Sequence, residues 1–214
     1  MKIHFLVIPV IIGIIFGTLI VTNHNESSLK SMVLNKENLH YGSTILGNPD
    51  AKISIVEFGD YQCTFCYKFH KETMIMIVEQ YIDNGKVNFV YKDFPLNGPP
   101  SIMASEASYC AQEQGMFWEY HDMIYENWEG ENTGWITRDA LVKFAKDTGL
   151  NLNEFNSCID NSKYSQKVLE NEKFARKINI DATPSFIIFD DVNAYRIIGA
   201  QSFDKFEQIL KELE

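Results

Sequence analysis

Residues 53–66 read ISIVEFGDYQCTFC, and this stretch decides the predicted fold. Its first half, Ile53–Phe58, is short, mostly apolar and rich in β-branched residues, which is typical of a buried strand. A helical pattern follows Cys66 and continues to Tyr81, and Val87–Tyr91 again has the pattern of a strand. Strand, helix and strand in this order predict a βαβ unit with two parallel strands.

Two cysteines, Cys63 and Cys66, lie where the first strand gives way to the helix. A cysteine at a helix N-terminus meets unpaired backbone N–H groups and the positive end of the helix dipole, and both stabilise a thiolate. Because the thiolate is the reacting species in disulfide exchange, we predict Cys63 as the nucleophile. Cys66, one turn later, is placed to form a disulfide with it. A Cys-x-x-Cys in this position indicates a redox pair that needs neither an organic cofactor nor a metal.

The remainder of the chain predicts a helical insertion followed by more sheet. From about residue 100 to 178 the pattern is helical, with Gly115 and Gly149 among the interruptions. Phe186–Phe189 then has the pattern of a buried strand, Tyr195–Ile198 that of its partner, and Phe203–Leu213 that of a closing amphipathic helix. We therefore expect one α/β domain over residues 46–214, with a helical insertion at about 100–178.

The N-terminal 22 residues differ from the rest, because Phe5–Val21 is an apolar run without a charged residue. Its length is at the short end of what spans a bilayer. A cleaved signal peptide is the alternative, but no Ala-x-Ala-like site follows Val21. With Lys2 before the run, we expect a transmembrane helix over residues 1–22 that leaves the domain outside the cytoplasm. Residues 23–45 are predicted to be a tether leading into the domain.

Charge excludes one class of partner. The chain has 214 residues and a formal net charge of −10, with 45% apolar residues. This composition supports a real core. Binding to nucleic acid requires concentrated Lys and Arg, so we expect no nucleic-acid partner.

A metal site is the alternative interpretation of the cysteine pair. Zinc would need two further ligands, and the sequence has no second Cys-x-x-Cys and no His-x₃₋₅-His. His70 lies four residues beyond Cys66, so it could supply a third ligand. A membrane-anchored metal-binding or metal-delivery protein that uses Cys63, Cys66 and His70 therefore remains the alternative function.

Three segments resemble one family. Residues 46–69, which include VEFGDYQCTFCYKF, residues 114–122, QGMFWEYHD, and residues 182–186, ATPSF, are similar in content and order to the DsbA-like branch of the thioredoxin superfamily. The resemblance extends over about residues 38–214. It implies a thioredoxin-like fold and an extracytoplasmic thiol–disulfide oxidoreductase. Its partners would be cysteine-containing exported proteins and a membrane redox protein that resets the pair.

The resemblance also implies roles for particular residues. Pro184 matches the family's cis-proline, which faces the active disulfide, and the backbone of Thr183 would pair with an extended substrate. Glu57 matches the buried acid beneath the cysteines, a proton acceptor for Cys66, although it could instead be a strand carboxylate satisfied by a lysine. Phe65, between the two cysteines, is expected to contact substrate.

Departures from the family pattern bear on redox strength. Strongly oxidising members have Pro-His between the cysteines, whereas this chain has Thr64-Phe65. A phenylalanine side chain offers a thiolate neither charge nor hydrogen bond, and the nearby Asp60 adds negative charge. We therefore expect an oxidase more than a reductase, but a weaker oxidant than the strongest members.

The other two cysteines, Cys110 and Cys158, are predicted to form a structural disulfide, as expected of paired cysteines outside the cytoplasm. Two separate free thiols and a second redox pair are the alternatives. Two histidines also need a role. His121 is expected to satisfy a core contact, while His70, if protonated, could favour the Cys63 thiolate or be an exposed bystander.

Overall fold

A computed structural model describes residues 39–214, which contain a five-stranded sheet in the order β1-β3-β2-β4-β5. The strands are β1 (Ile45–Leu46), β2 (Ile53–Gly59), β3 (Val87–Asp93), β4 (Ser185–Phe189) and β5 (Ala194–Ile198). Strand β2 pairs with β3 in parallel and with β4 antiparallel, so it lies at the centre of the sheet. The predicted βαβ unit and the later hairpin are both present.

One composite helix, α1, connects the parallel strands. It begins at Thr64 directly after Cys63, and it alternates between α-helical and π-helical turns: Thr64–Phe69, His70–Met74, Ile75–Ile77 and Val78–Ile82. The interruption by π-helical turns is not visible in the apolar periodicity. Such turns are rare in proteins overall, and those that occur are often found at functional sites.

Five helices form the insertion between β3 and β4. They are α2 (Pro99–Gln112), α3 (Phe117–Glu126), α4 (Arg138–Thr148), α5 (Leu152–Asp160) and α6 (Ser165–Lys177). A last helix, α7 (Phe203–Leu213), follows β5. The ends of α4 and α5 carry clear signals: Thr137 and Asn151 cap the helix N-termini through their side chains, and Gly149 ends α4 with a φ of 90°.

Side chains of β2 alternate between two apolar layers. Ile53 and Ile55 pack with residues of α1 and α7, including Phe69 and Phe206. Val56 and Phe58 belong to the opposite layer, which extends to α6. By the same alternation, Glu57 shares the face of Ile53 and Ile55. The sheet thus carries a buried carboxylate toward the helix that bears the cysteines.

Close backbone packing explains the glycine that ends β2. A Cβ built on Gly59 would lie 2.4 Å from the ring of Tyr91, which is itself 1% exposed. A ring held in the core cannot move aside cheaply. Glycine is therefore required where β2 leads into the cysteine loop.

The N-terminal part of the described chain differs from the expected tether. Ile45–Leu46 form the edge strand β1 antiparallel to β3, and Leu39 is buried against the sheet. Two residues are too few to show strand periodicity, so no pattern in the sequence indicated β1. The predicted transmembrane segment over residues 1–22 lies outside the described residues. Within residues 39–214, no helix is both long and apolar enough to cross a membrane.

Candidate active site

Cys63 and Cys66 lie together at the start of α1. Cys63 is the N-cap residue, with an extended backbone, and Cys66 is in the first turn of the helix. The two thiols are not bonded to each other, and Cys63 is 6% exposed whereas Cys66 is fully buried. An incoming thiol can therefore reach only the first cysteine of the pair.

The environment of Cys63 favours its thiolate. A hydrogen bond from the Cys66 thiol lowers the pKa of Cys63 to about 6, with help from Thr183 and from the backbone N–H groups of Cys66 and Phe65, although burial opposes the shift. Phe65 thus stabilises the thiolate through its backbone, a contribution that its side chain does not suggest. Cys63, which the sequence predicted as the nucleophile, thus has the lowered thiol pKa that a reactive cysteine requires.

Cys66 and Glu57 show the opposite behaviour. Burial raises the pKa of the Cys66 thiol well above its usual value, with further contributions from the hydrogen bond to Cys63 and from the charge of Cys63. Burial, followed by the charge of Cys63, also raises the pKa of Glu57. Glu57 is 2% exposed, and among residues 39–214 its Oε1 has no hydrogen-bond partner. Within this range no lysine satisfies this oxygen, as the alternative interpretation of Glu57 would require.

Thr183 and Pro184 come to the cysteines from the loop before β4. Their peptide bond is cis, as the resemblance implied. The Cys63 thiol donates to the carbonyl oxygen of Thr183 at 3.4 Å, across 120 residues of sequence. The geometry therefore brings together the two cysteines, Glu57, Thr183 and Pro184.

Asp60 has a structural role that its position in the sequence does not indicate. Its carboxylate accepts from the backbone N–H of Gln62 at 2.8 Å, from that of Asn97 at 2.7 Å and from the Ser101 hydroxyl at 2.6 Å. The carboxylate thereby ties the cysteine loop to the start of the insertion.

Three residues of the insertion hold the cysteine loop, and sequence reasoning missed all of them as site residues. The Tyr125 hydroxyl donates to the Asp60 carbonyl at 3.5 Å, and the Trp128 indole N–H donates to the Gln62 carbonyl at 3.2 Å. An oxygen of Glu131 accepts from the backbone N–H of Thr64 at 3.1 Å. No spacing rule could have identified contacts between residues more than 60 positions apart.

Aromatic side chains lie beside Cys63. The Phe65 side chain is 59% exposed, and Trp128 stacks on Tyr67 with ring centroids 4.5 Å apart. An exposed aromatic ring next to a reactive sulfur suits contact with an extended peptide. Contact of Phe65 with substrate stays a prediction.

His70 does not contribute to a metal site with the cysteines. Within residues 39–214, the group of side chains spaced to hold an ion is His70 with His121 and Asp122. Burial, then the charge of Lys71, lowers the pKa of His70 to about 4, so it is neutral at neutral pH. It therefore cannot act as the cation that stabilises the Cys63 thiolate. Of the three interpretations of His70 from the sequence, neither the ligand shared with the cysteines nor the cation is supported, and a side chain that is 15% exposed is not an exposed bystander.

The remaining pair of cysteines is bonded. A disulfide joins Cys110 in α2 to Cys158 in α5, across 48 residues. His121 is buried among aromatic rings, and its Nδ1 is hydrogen-bonded to the Tyr61 hydroxyl at 3.0 Å, which is the core contact expected of it. Neither feature adds a reacting group to the cysteine site.

Comparison with known proteins agrees with this geometry. The chain matches the protein family described as Thioredoxin over residues 40–212. It is 28% identical over 188 residues to the probable disulfide bond formation protein D of Bacillus anthracis, covering 86% of this chain and 85% of the relative. It is 27% identical over 176 residues to the disulfide bond formation protein D of Bacillus subtilis, covering 81% of this chain and 76% of the relative.

Solved structures show the same fold. Oxidised BdbD from Bacillus subtilis superposes with a TM-score of 0.75 at 26% identity, covering 81% of this chain and 93% of that one. For α-DsbA1 from Wolbachia pipientis, the TM-score is 0.71 at 25% identity, with coverage of 81% and 91%.

Proposed function

We propose that this chain, which belongs to the thioredoxin family and is a DsbA-like thiol–disulfide oxidoreductase, works as an oxidase. Its substrates would be cysteines in exported proteins. The observation that carries the proposal is the stabilised Cys63 thiolate, whose pKa of about 6 favours the reduced product of the oxidase reaction. A protein whose reduced form is stabilised gives its disulfide away.

The oxidase reaction starts from a Cys63–Cys66 disulfide. A substrate thiolate attacks the sulfur of Cys63, because Cys66 is buried. The Cys63–Cys66 bond breaks, and Cys66 leaves with the electron pair. Glu57, whose pKa burial raises, supplies the proton that this sulfur takes up. In the reverse direction, the same carboxylate accepts the proton of Cys66.

A second substrate thiolate then completes the exchange. It attacks the substrate sulfur of the mixed disulfide, and Cys63 leaves as a thiolate that the Cys66 hydrogen bond stabilises. The substrate gains one disulfide, and the enzyme gains the two electrons as one thiolate and one thiol. Thr183 and Pro184 provide the backbone edge, and Phe65 the exposed ring, against which an extended substrate would lie.

Location and partners are part of the proposal. If the substrates are exported proteins, the domain must lie outside the cytoplasm. The apolar run Phe5–Val21, acting as a membrane anchor or as a signal sequence, would place it there. A membrane redox protein would reoxidise the pair after each turnover. The similarity to proteins named for disulfide bond formation supports this arrangement.

The reduction potential tests the direction of catalysis. In graded glutathione buffers, with alkylation and mass analysis to count thiols, we expect a Cys63/Cys66 potential between about −120 and −200 mV. That range is more reducing than the strong oxidant near −120 mV and more oxidising than thioredoxin near −270 mV. Oxidation of a reduced, unfolded substrate should be lost in Cys63→Ser. A potential near −270 mV would instead make the protein a reductase.

A further inference from the structure

We propose that His70, His121 and Asp122 form a binding site for a divalent transition-metal ion, with Zn²⁺ as the preferred occupant, separate from the cysteine pair. One ligand atom from each of these residues lies within 4.8 Å of the other two. His70 is in the first π-helical turn of α1, and the other two are adjacent in α3. The site would therefore link the cysteine helix to the insertion.

The spacing needs little adjustment to hold zinc. Two ligands bonded at about 2.1 Å to a tetrahedral ion are roughly 3.4 Å apart. The Nε2 of His70 and Oδ1 of Asp122 are already 3.8 Å apart. Because the Asp122 side chain is 55% exposed, it is free to move toward an ion without disturbing the core.

His121 is oriented as a ligand would be. Its Nδ1 is hydrogen-bonded to the Tyr61 hydroxyl at 3.0 Å, which leaves Nε2 as the ring nitrogen for a metal. Tyr91 and Tyr125 pack against the ring with centroid distances of 4.7 and 5.0 Å. A hydrogen bond on the far nitrogen is the usual way in which a metal-binding histidine is held and tuned.

An open cavity gives an ion access to these three residues. It has a volume of about 400 Å³, and its lining includes His70, His121 and Asp122. Glu57 lines the same cavity, and its buried Oε1 has no hydrogen-bond partner among residues 39–214. An unpaired buried oxygen in the lining of the cavity is an independent sign that a polar ligand belongs there.

The charges around the cavity favour a cation. The carboxylates of Glu79 and Glu126 belong to the lining, opposed by the ammonium group of Lys71. Two imidazoles and one carboxylate suit zinc and its first-row neighbours, whereas Ca²⁺ and Mg²⁺ prefer oxygen ligands alone. Three protein ligands leave a further position for water.

The test is Zn²⁺ binding to the full-length chain with Cys63 and Cys66 oxidised, so that neither thiol can coordinate the ion. Isothermal titration calorimetry should give one Zn²⁺ per chain and a higher melting temperature in the loaded protein. His70→Ala should abolish binding. Asp122→Asn should weaken the Zn²⁺ affinity at least tenfold, because loss of a residue that only hydrogen-bonds to a metal ligand already costs about tenfold or more.

Glu119→Gln is the matched control, because it removes the same charge one turn earlier in α3. Its affinity should remain that of the native chain. Circular dichroism and the alkylation rate of reduced Cys63 check that each variant folds. Co²⁺ bound to the oxidised chain should show ligand-field bands without a thiolate charge-transfer band.

Two results would overturn the site. One is the absence of stoichiometric Zn²⁺ binding by the oxidised chain. This result includes the case in which only the reduced chain binds the ion and its Co²⁺ form shows a thiolate charge-transfer band. The other is an affinity that His70→Ala leaves unchanged. Neither outcome touches the proposed oxidase reaction, which is measured without added metal.

Discussion

Cys63 and Cys66 share one helical turn, yet their thiols have opposite pKa shifts. The pKa of Cys63 falls because Cys66 and two backbone N–H groups donate to its thiolate. That of Cys66 rises because the thiol is buried and already engaged with Cys63. Burial of Cys66 and its hydrogen bond to Cys63 thus separate the two thiols, and in the proposed reaction Cys63 is the attacked sulfur and Cys66 its protonated partner.

Alkylation of the reduced protein measures this difference. The iodoacetamide rate at Cys63 should rise with a midpoint near pH 6, since only the thiolate reacts. In Cys63→Ser, Cys66 should stay unreactive below about pH 9, because its pKa is raised and it is buried. A midpoint near 8.5, the value of an ordinary cysteine, would contradict the assignment.

The same shift fixes the sign of a pH effect on stability. A folded-state pKa below the unfolded value means that Cys63 stabilises the reduced protein fully above the unfolded pKa. That contribution is lost as the pH falls through about 6. The oxidised protein lacks it, so the stability of the reduced form relative to the oxidised form should decline over this range.

At the scale of elements, the insertion completes the N-terminus of α1. Cys63 makes no side-chain cap, and Glu131 from the loop after α3 accepts from both the backbone N–H and the hydroxyl of Thr64. A carboxylate at a helix N-terminus is stabilising. It also brings negative charge to the helix terminus at which Cys63 lies, so we expect it to oppose ionisation of the Cys63 thiol.

Removal of that charge should make Cys63 more acidic. In Glu131→Gln, an amide oxygen can still accept from Thr64. We expect the Cys63 pKa to fall by about 0.2–0.7 unit, because a charge at a helix terminus is worth about 0.3–1 kcal/mol and one unit equals about 1.4 kcal/mol. The alkylation profile measures the change.

The control for this variant is Glu129→Gln, which removes the same charge from an exposed residue of the same loop. Its profile should match that of the native protein. An equal fall in both variants would indicate general electrostatics, and a rise in Glu131→Gln would contradict the capping role.

At the scale of the whole molecule, the insertion is held by a covalent link remote from the redox pair. The Cys110–Cys158 disulfide joins α2 to α5 and closes a loop across 48 residues. In the chain-entropy description, a loop of this length stabilises the fold by about 4 kcal/mol. The hydrogen bonds of Tyr125, Trp128 and Glu131 hold the cysteine loop against the insertion.

The double variant Cys110→Ala/Cys158→Ala should melt roughly 10 °C lower, since 1 kcal/mol corresponds to about 2–4 °C in a domain of this size. Below its melting temperature, the alkylation rate of Cys63 should equal that of the native protein. Thermal unfolding by circular dichroism gives the first quantity. Loss of activity without loss of stability would instead favour a redox relay through this pair.

Prediction from sequence succeeded where neighbours along the chain determine the result. The central strands, the closing helix and the position of Cys63 at a helix start follow from local periodicity and spacing. Asp60 shows the limit. It is three residues from Cys63, yet its carboxylate is bound by Asn97 and Ser101. These partners could not be inferred from the residues that neighbour Asp60 in the sequence.

Local patterns in the sequence were enough to predict the βαβ unit, the cysteine pair and which cysteine comes at the helix start, because these depend on residues within one strand and one helix. Which groups surround that pair depends on how distant segments of the chain fold onto it. Thr183 reaches Cys63 across 120 residues and Glu131 reaches Thr64 across 67. His70 meets Asp122 rather than the cysteines. Such contacts arise from the packing of the insertion on the sheet, and no local pattern in the sequence encodes them.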